Sequence, residues 1–118
     1  ERILFAPNML NRNEYVPKRN KDRNRDIVIK RGYLDEDDFI IELPNGYKVE
    51  ANLKPTKLNN EFGEFEVSVE QLSESKLNYK RRLLIKPGIF PKTSYDDYRN
   101  FRKTISRVDA SKIVFIKK

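Results

Sequence analysis

Four stretches of this chain alternate apolar and polar residues with a period of two, and only one repeats at the three- and four-residue steps of a helix. Period two places successive side chains on opposite faces of a strand, so the chain is constrained towards half-buried antiparallel sheets. Phe39, Ile41 and Leu43 alternate with Ile40 and Glu42 up to Pro44-Asn45-Gly46, which predicts a hairpin turn. Beyond it Tyr47, Val49 and Ala51 alternate with Lys48, Glu50 and Asn52. The cleanest pattern is Phe65, Val67 and Val69 among Glu64, Glu66, Ser68 and Glu70, ending at Ser73-Glu74-Ser75. Leu77, Tyr79, Arg81, Leu83 and Ile85 form the predicted return strand, antiparallel to Phe65–Val69 and stopped by Pro87-Gly88. Its Lys80 and Arg82 can face the glutamates of the preceding strand. Shorter strands are predicted at Ile27 and Ile29, at Ile3-Leu4-Phe5, and at Ile113-Val114-Phe115-Ile116.

The helical step occurs in Tyr95, Tyr98, Phe101, Ile105 and Val108, with Arg99, Arg102, Lys103 and Arg107 between them. This predicts a helix over 94–108, with Thr93 or Ser94 as cap and Asp96 and Asp97 in the first turn, where the dipole favours anions. The fold class is therefore mainly β: an antiparallel β-sandwich with one amphipathic helix, about 94–108, before the last strand. Sheet should exceed helix at least twofold.

At 118 residues the chain fits one domain over 1–118 and can bury roughly 65% of the surface its unfolded form exposes, enough for a single core. Cys, His and Trp are all absent, which leaves out disulfides, thiolate nucleophiles, sulfur-ligated zinc and every triad that uses imidazole. No run approaches the ~18 apolar residues of a membrane-spanning helix, and Glu1–Pro7 lacks the regions of a signal peptide. A chain that opens on Glu1 in mid-pattern reads as a C-terminal piece of a longer protein, with any targeting signal upstream.

The 25 Lys and Arg against 18 Asp and Glu leave +7, unevenly spread. Residues 1–33 carry 9 basic and 4 acidic groups, 34–75 carry 3 and 11, and 76–118 carry 13 and 3. Such blocks suit either a basic binding face or strands of opposite sign paired across a sheet, and pairing is the reading adopted. Residues 8–26 show no period and hold five Asn and the run Lys18-Arg19-Asn20-Lys21-Asp22-Arg23-Asn24-Arg25. Five cations in eight positions could neutralise phosphates, yet aromatic interleaving is lacking, and a solvated loop is the plainer reading. With few apolar anchors, 8–25 is expected to be held chiefly by a neighbouring domain. Asp35-Glu36-Asp37-Asp38 invites a hard cation, but Phe39 and Ile40 follow at once where a calcium loop needs Gly and a last Glu, so an acidic turn is expected. Glu64 and Glu66 share one strand face but sit on its solvated side, and Tyr95, Tyr98 and Phe101 read as core. No catalytic, metal or cofactor residue is assigned.

Ile41-Glu42-Leu43-Pro44-Asn45-Gly46-Tyr47-Lys48-Val49-Glu50, then Asn60-Glu61-Phe62-Gly63-Glu64-Phe65, Tyr79-Lys80-Arg81, Tyr95-Asp96-Asp97-Tyr98-Arg99-Asn100-Phe101 and Asp109-Ala110-Ser111-Lys112-Ile113-Val114 occur in that order. Over about residues 2–116 the chain resembles the C-terminal β-rich domain, of unknown function, of bacterial transglutaminase-like proteins. That resemblance implies an exported parent, periplasmic or on the cell surface, with a papain-like transglutaminase or protease core carrying a Cys-His-Asp triad. No triad residue maps onto any position here. The expected role is a non-catalytic accessory and interaction domain that packs against the parent's core, rather than an enzyme. A basic nucleic-acid-binding module and an envelope glycan- or peptide-binding module are the alternatives.

Overall fold

Long alternating segments pair with partners of opposite charge, and this sets the topology. The computed structural model describes residues 1–8, 15–17 and 25–118. Among them lie β1 (Arg2–Phe5), β2 (Ile27–Ile29), β3 (Tyr33–Glu42), β4 (Tyr47–Ala51), β5 (Thr56–Asn60), β6 (Gly63–Ser73), β7 (Lys76–Ile85), β8 (Gly88–Phe90), α1 (Tyr95–Asp109) and β9 (Ile113–Lys117). They form antiparallel sheets in the orders β3-β7-β6-β5, β1-β9-β4 and β2-β8. Strand takes 53% and helix 17% of the described residues, beyond the twofold excess that the alternation predicts.

The β6–β7 hairpin is as expected, with Phe65 opposite Leu83 and Val69 opposite Tyr79. Its inward row of Phe65, Val67, Leu77, Tyr79, Leu83 and Ile85 is buried, and it shares one core with Ile41, Leu43, Ile113, Phe115 and the α1 stripe. Gly63 starts β6 where a β-carbon would run into the Leu84 carbonyl. Ahead of it, β5 and the turn residue Phe62 carry no signal in the alternation. Yet Phe62 is 1% exposed and its ring packs at 4.9 Å from Phe90, 5.1 Å from Tyr98 and 6.3 Å from Phe101. Its backbone is held at both ends, by Asn60 Oδ1 accepting its N–H at 2.9 Å and by its carbonyl accepting from Lys86 N–H at 2.8 Å.

Two expectations are corrected at β3. The Pro44-Asn45-Gly46 turn forms, with Gly46 at φ 84° and Tyr47 N–H donating to Pro44 O, but it does not close a hairpin. It is a corner: β3 pairs with β7 and β4 with β9. The second correction explains the first. Asp35–Asp38 is no turn but the middle of β3, where Glu36, Asp37 and Asp38 stand opposite Arg82, Arg81 and Lys80. Opposite charges across a ladder stabilise each pair, whereas β4 offers no such row, so β3 pairs away from its sequence neighbour.

Helix α1 begins and ends one residue later than the expected 94–108, and Tyr95, Tyr98, Phe101 and Ile105 are buried as predicted. Ser94 precedes it, but its side chain makes no capping bond, which corrects the expected Thr93/Ser94 cap. A 3-10 turn at Lys92–Ser94 leads in, with Ser94 φ −88° and ψ 4°, so the chain is already coiled where an extended cap would sit. Lys92 N–H is instead accepted by Asp26 Oδ1 at 3.1 Å.

In the second sheet Arg2 on β1 reaches across β9 to Glu50 on β4, Nε to Oε2 at 2.6 Å and Nη2 to Oε1 at 2.9 Å. The hydrogen bonds from Arg2 hold the Glu50 carboxyl below its ordinary range. A carboxyl depressed in the folded state stabilises above its unfolded pKa of about 4.3, and that stability is lost as pH falls through the folded value. Arg2→Gln should therefore melt below the parent chain at neutral pH, with the gap closing in acid, as read by circular dichroism. The helix stripe makes a stronger prediction. Phe101 is 3% exposed and Lys103 exposed, so Phe101→Ala should cost ~3–5 kcal/mol in denaturant unfolding while Lys103→Ala costs little.

Candidate functional site

Arg81 is the one charged member of the inward β7 row, and it is 2% exposed. A guanidinium in a core is tolerated only where its donors are met and its charge is balanced. Asp109, the last residue of α1 and also 2% exposed, receives Nε at 2.8 Å and Nη2 at 2.7 Å in a two-pronged bond. Asp37 of β3 lies 4.0 Å from Nη1, and the guanidinium sits over the Phe65 ring at 5.6 Å. Burial works against the charge of Arg81, but the hydrogen bonds and charge of Asp109 more than offset it and hold the group above its ordinary range. Burial also pushes the neighbouring Tyr79 phenol up. The cluster joins β3, β7 and the end of α1, and its two hydrogen-bonded members are shut away from solvent. It is built to hold the fold.

The opposite face of the same sheet is a charged lattice. Lys57, Glu66, Arg82 and Glu36 stand in one row across four strands, with Ser68, Lys80 and Asp38 in the next. All of these but Lys57 line a shallow depression of about 320 Å³. The sequence-flagged pair Glu64 and Glu66 is here: Glu64 pairs with Arg82 at 3.5 Å, while Glu66 stands opposite it. Both are dressed by cations as the alternation of charge predicts. Asp35, Glu36, Asp37 and Asp38 alternate between faces and so do not converge on one point, and among the described residues no carboxylate group is gathered for a metal.

A third place carries more chemistry for recognition. Tyr15, Val16, Pro17, Ile27, Val28, Tyr95 and Tyr98 line a recess of about 360 Å³. Arg99 Nε donates to Pro17 O at 3.0 Å, and the Arg102 guanidinium lies 5.0 Å over the Tyr15 ring while its Nη1 donates to Tyr33 Oη at 3.2 Å. Burial raises the Tyr98 phenol, with Arg102 pulling the other way. Beside the recess Val28 and Ile89 stand opposite each other across β2 and β8, 56% and 73% exposed. Rigid aromatic rings with an Arg and exposed aliphatic groups are the make-up of interface anchors. Thus residues 15–17 rest on α1 of this domain, which corrects for those three the expectation of a segment held from outside. Residues 18–24, with four of the five cations read as a possible phosphate-binding run, lie outside the described residues, and Arg25 is exposed.

Sequence reasoning did not anticipate the tyrosine recess. Tyr95 and Tyr98 read as core, which they are, but Tyr15 and Tyr33 reach them from segments about 60 to 80 positions away, which no local pattern shows. The Arg81–Asp109 pair did leave a signal: a lone cation in the apolar row of β7, and an acid on the apolar stripe of α1 four residues after Ile105.

A family model described as a domain of unknown function with a solved structure, DUF3858, matches residues 1–115. The chain belongs to the DUF3858 family. No curated protein and no solved structure matches this DUF3858 chain. Arg99→Ala should loosen residues 15–17 of the domain and leave α1 intact, seen by NMR as faster exchange or lower order parameters at Tyr15 and Val16 with unchanged protection at Phe101 and Ile105.

Proposed function

We propose that this DUF3858 domain is a non-catalytic accessory and interaction module of an exported, periplasmic or surface-located bacterial protein, packing against a transglutaminase-like or protease-like core. The observation that carries the interaction role is the tyrosine recess: Tyr15 at 57%, Val28 at 56% and Ile89 at 73% exposure lie beside buried Tyr95 and Tyr98, with Arg102 among them. An apolar and aromatic patch of this kind is stabilised by covering it, and inter-domain interfaces bury such surface. The identity of the core rests on the resemblance of the five sequence words. The chemical inventory supports a partner that supplies the reaction, because acyl transfer needs an activated nucleophile and usually an imidazole, and Cys and His are absent from these 118 residues.

Amide exchange on the isolated domain and on the full-length parent tests this reading. Added protection at Val28, Ile89 and Tyr15 in the parent is expected, together with a Cys, His and Asp in papain-like order in the preceding domain. Unchanged exchange at those three residues, or a preceding region without such residues, contradicts it. Incubation of the isolated domain with peptides and amines should yield no covalent adduct by mass spectrometry, and a stoichiometric acyl adduct would overturn the non-catalytic role.

A further inference from the structure

An edge strand offers unpaired N–H and C=O groups along one side, and folded proteins normally blunt such edges with short length, Lys, Pro or a bulge. Among the described strands, the other edges of the two larger sheets are treated in this way. β1 has four residues and carries Arg2; β4 has five, carries Lys48 and shifts register between Val49 and Ala51; β5 has five, carries Lys57 and follows Pro55. β3 is different. It runs ten residues at the edge of its sheet without Lys, Pro or Gly, its register against β7 is unbroken, and of the ten only Ile41 is fully buried. Leu34 is 47% and Ile40 49% exposed, one on each side of Asp35-Glu36-Asp37-Asp38.

The carboxylates of that stretch decide what can pair there. β7 stands opposite with Lys80, Arg81 and Arg82, but two of those cations are drawn elsewhere: Arg81 gives its two hydrogen bonds to Asp109, and Arg82 pairs with Glu64. Among the described residues Asp35 and Glu36 have no ion pair. A second copy of β3 would set one acidic quartet against another, and like charges directly opposite destabilise a ladder. A cationic strand gains where a second copy loses, so the acidic row both guards the edge and selects its occupant.

We propose that the outer edge of β3, which pairs with no other strand among the described residues, is a docking site for an extended basic segment of a partner polypeptide, added antiparallel as a further strand beside Tyr33–Glu42. The pattern it fits is a run of basic residues flanked by apolar ones. β7 itself is the precedent, since Tyr79, then Lys80-Arg81-Arg82, then Leu83-Leu84 already meets β3 from the other side. Backbone hydrogen bonds supply affinity and the alternating side chains supply choice, as in other strand additions. This surface is separate from the tyrosine recess, and the inference does not depend on the identity of any parent protein.

The test uses the intact domain, isotope-labelled for NMR, titrated with a peptide copying residues 78–85 and with a counterpart in which Lys and Arg are replaced by Glu. Expected are shifts and new amide protection along Tyr33–Glu42 with the basic peptide alone, weakening as salt is raised. D35K/E36K should weaken binding several-fold, whereas E70K, which makes half that change of charge on β6, should not. Four results would each overturn the proposal: no binding by the basic peptide, equal binding of the acidic peptide, perturbation centred on β6 and β7 that signals displacement of β7, or loss of affinity in E70K as large as in D35K/E36K. Concentration-dependent self-association through β3 would show that a second copy is the occupant and overturn it as well.

Discussion

The buried pair between Arg81 and Asp109 is the contact on which the arrangement of helix and sheet depends. Two charges out of water are costly, and only good geometry repays them, so the pair admits one placement of the α1 C-terminus over the middle of β7. With Nε and Nη2 both within 2.8 Å of the carboxylate oxygens, neither sliding nor turning the helix keeps both bonds. That placement lays Tyr98 and Phe101 against Phe62. It also leaves the next residues, Ala110 to Lys112, to turn back into β9, with Ala110 N–H bonding to Ser106 O and Ser111 Oγ to Arg107 O. A hydrophobic stripe alone would tolerate several helix positions; the ion pair selects one.

The same logic of opposite charge governs the sheet. The acidic middle of the chain and its basic last third meet as β3 and β6 against β7, so the blocks of sign in the sequence become alternating rows in the structure. This is why β3 leaves its neighbour β4 at the Gly46 corner and pairs with a strand some forty residues on. It also leaves a remainder. Arg81 and Arg82 of β7 turn to Asp109 and Glu64, and among the described residues Asp35 and Glu36 are left without an ion pair, which gives the outer edge of β3 its character.

Much of the fold was legible because burial follows period. Phe65, Val67, Leu77, Leu83 and Ile85 alternate in the sequence and are buried in the structure, and Tyr95, Tyr98, Phe101 and Ile105 keep the helical step. What stayed hidden depended on distance along the chain. Asp35–Asp38 looked like a turn because four acids in a row disfavour a strand until a basic strand lies beside them. Phe62 falls outside the alternation, and nothing local marks it as the ring on which Phe90, Tyr98 and Phe101 converge. Tyr15 and Tyr33 become neighbours of Arg102 only once β3 and the 15–17 segment have been folded against α1.

The most direct measurement of the central claim is a double-mutant cycle on Arg81 and Asp109, with Arg81→Met, Asp109→Leu and the double variant followed by denaturant unfolding. Each single change strands a buried charge and should cost ~3–5 kcal/mol, while the double variant, with both charges gone and the volume kept apolar, should recover most of that loss. Losses that simply add, or singles that unfold like the parent chain, would contradict the account and show that the helix is placed by its apolar stripe alone.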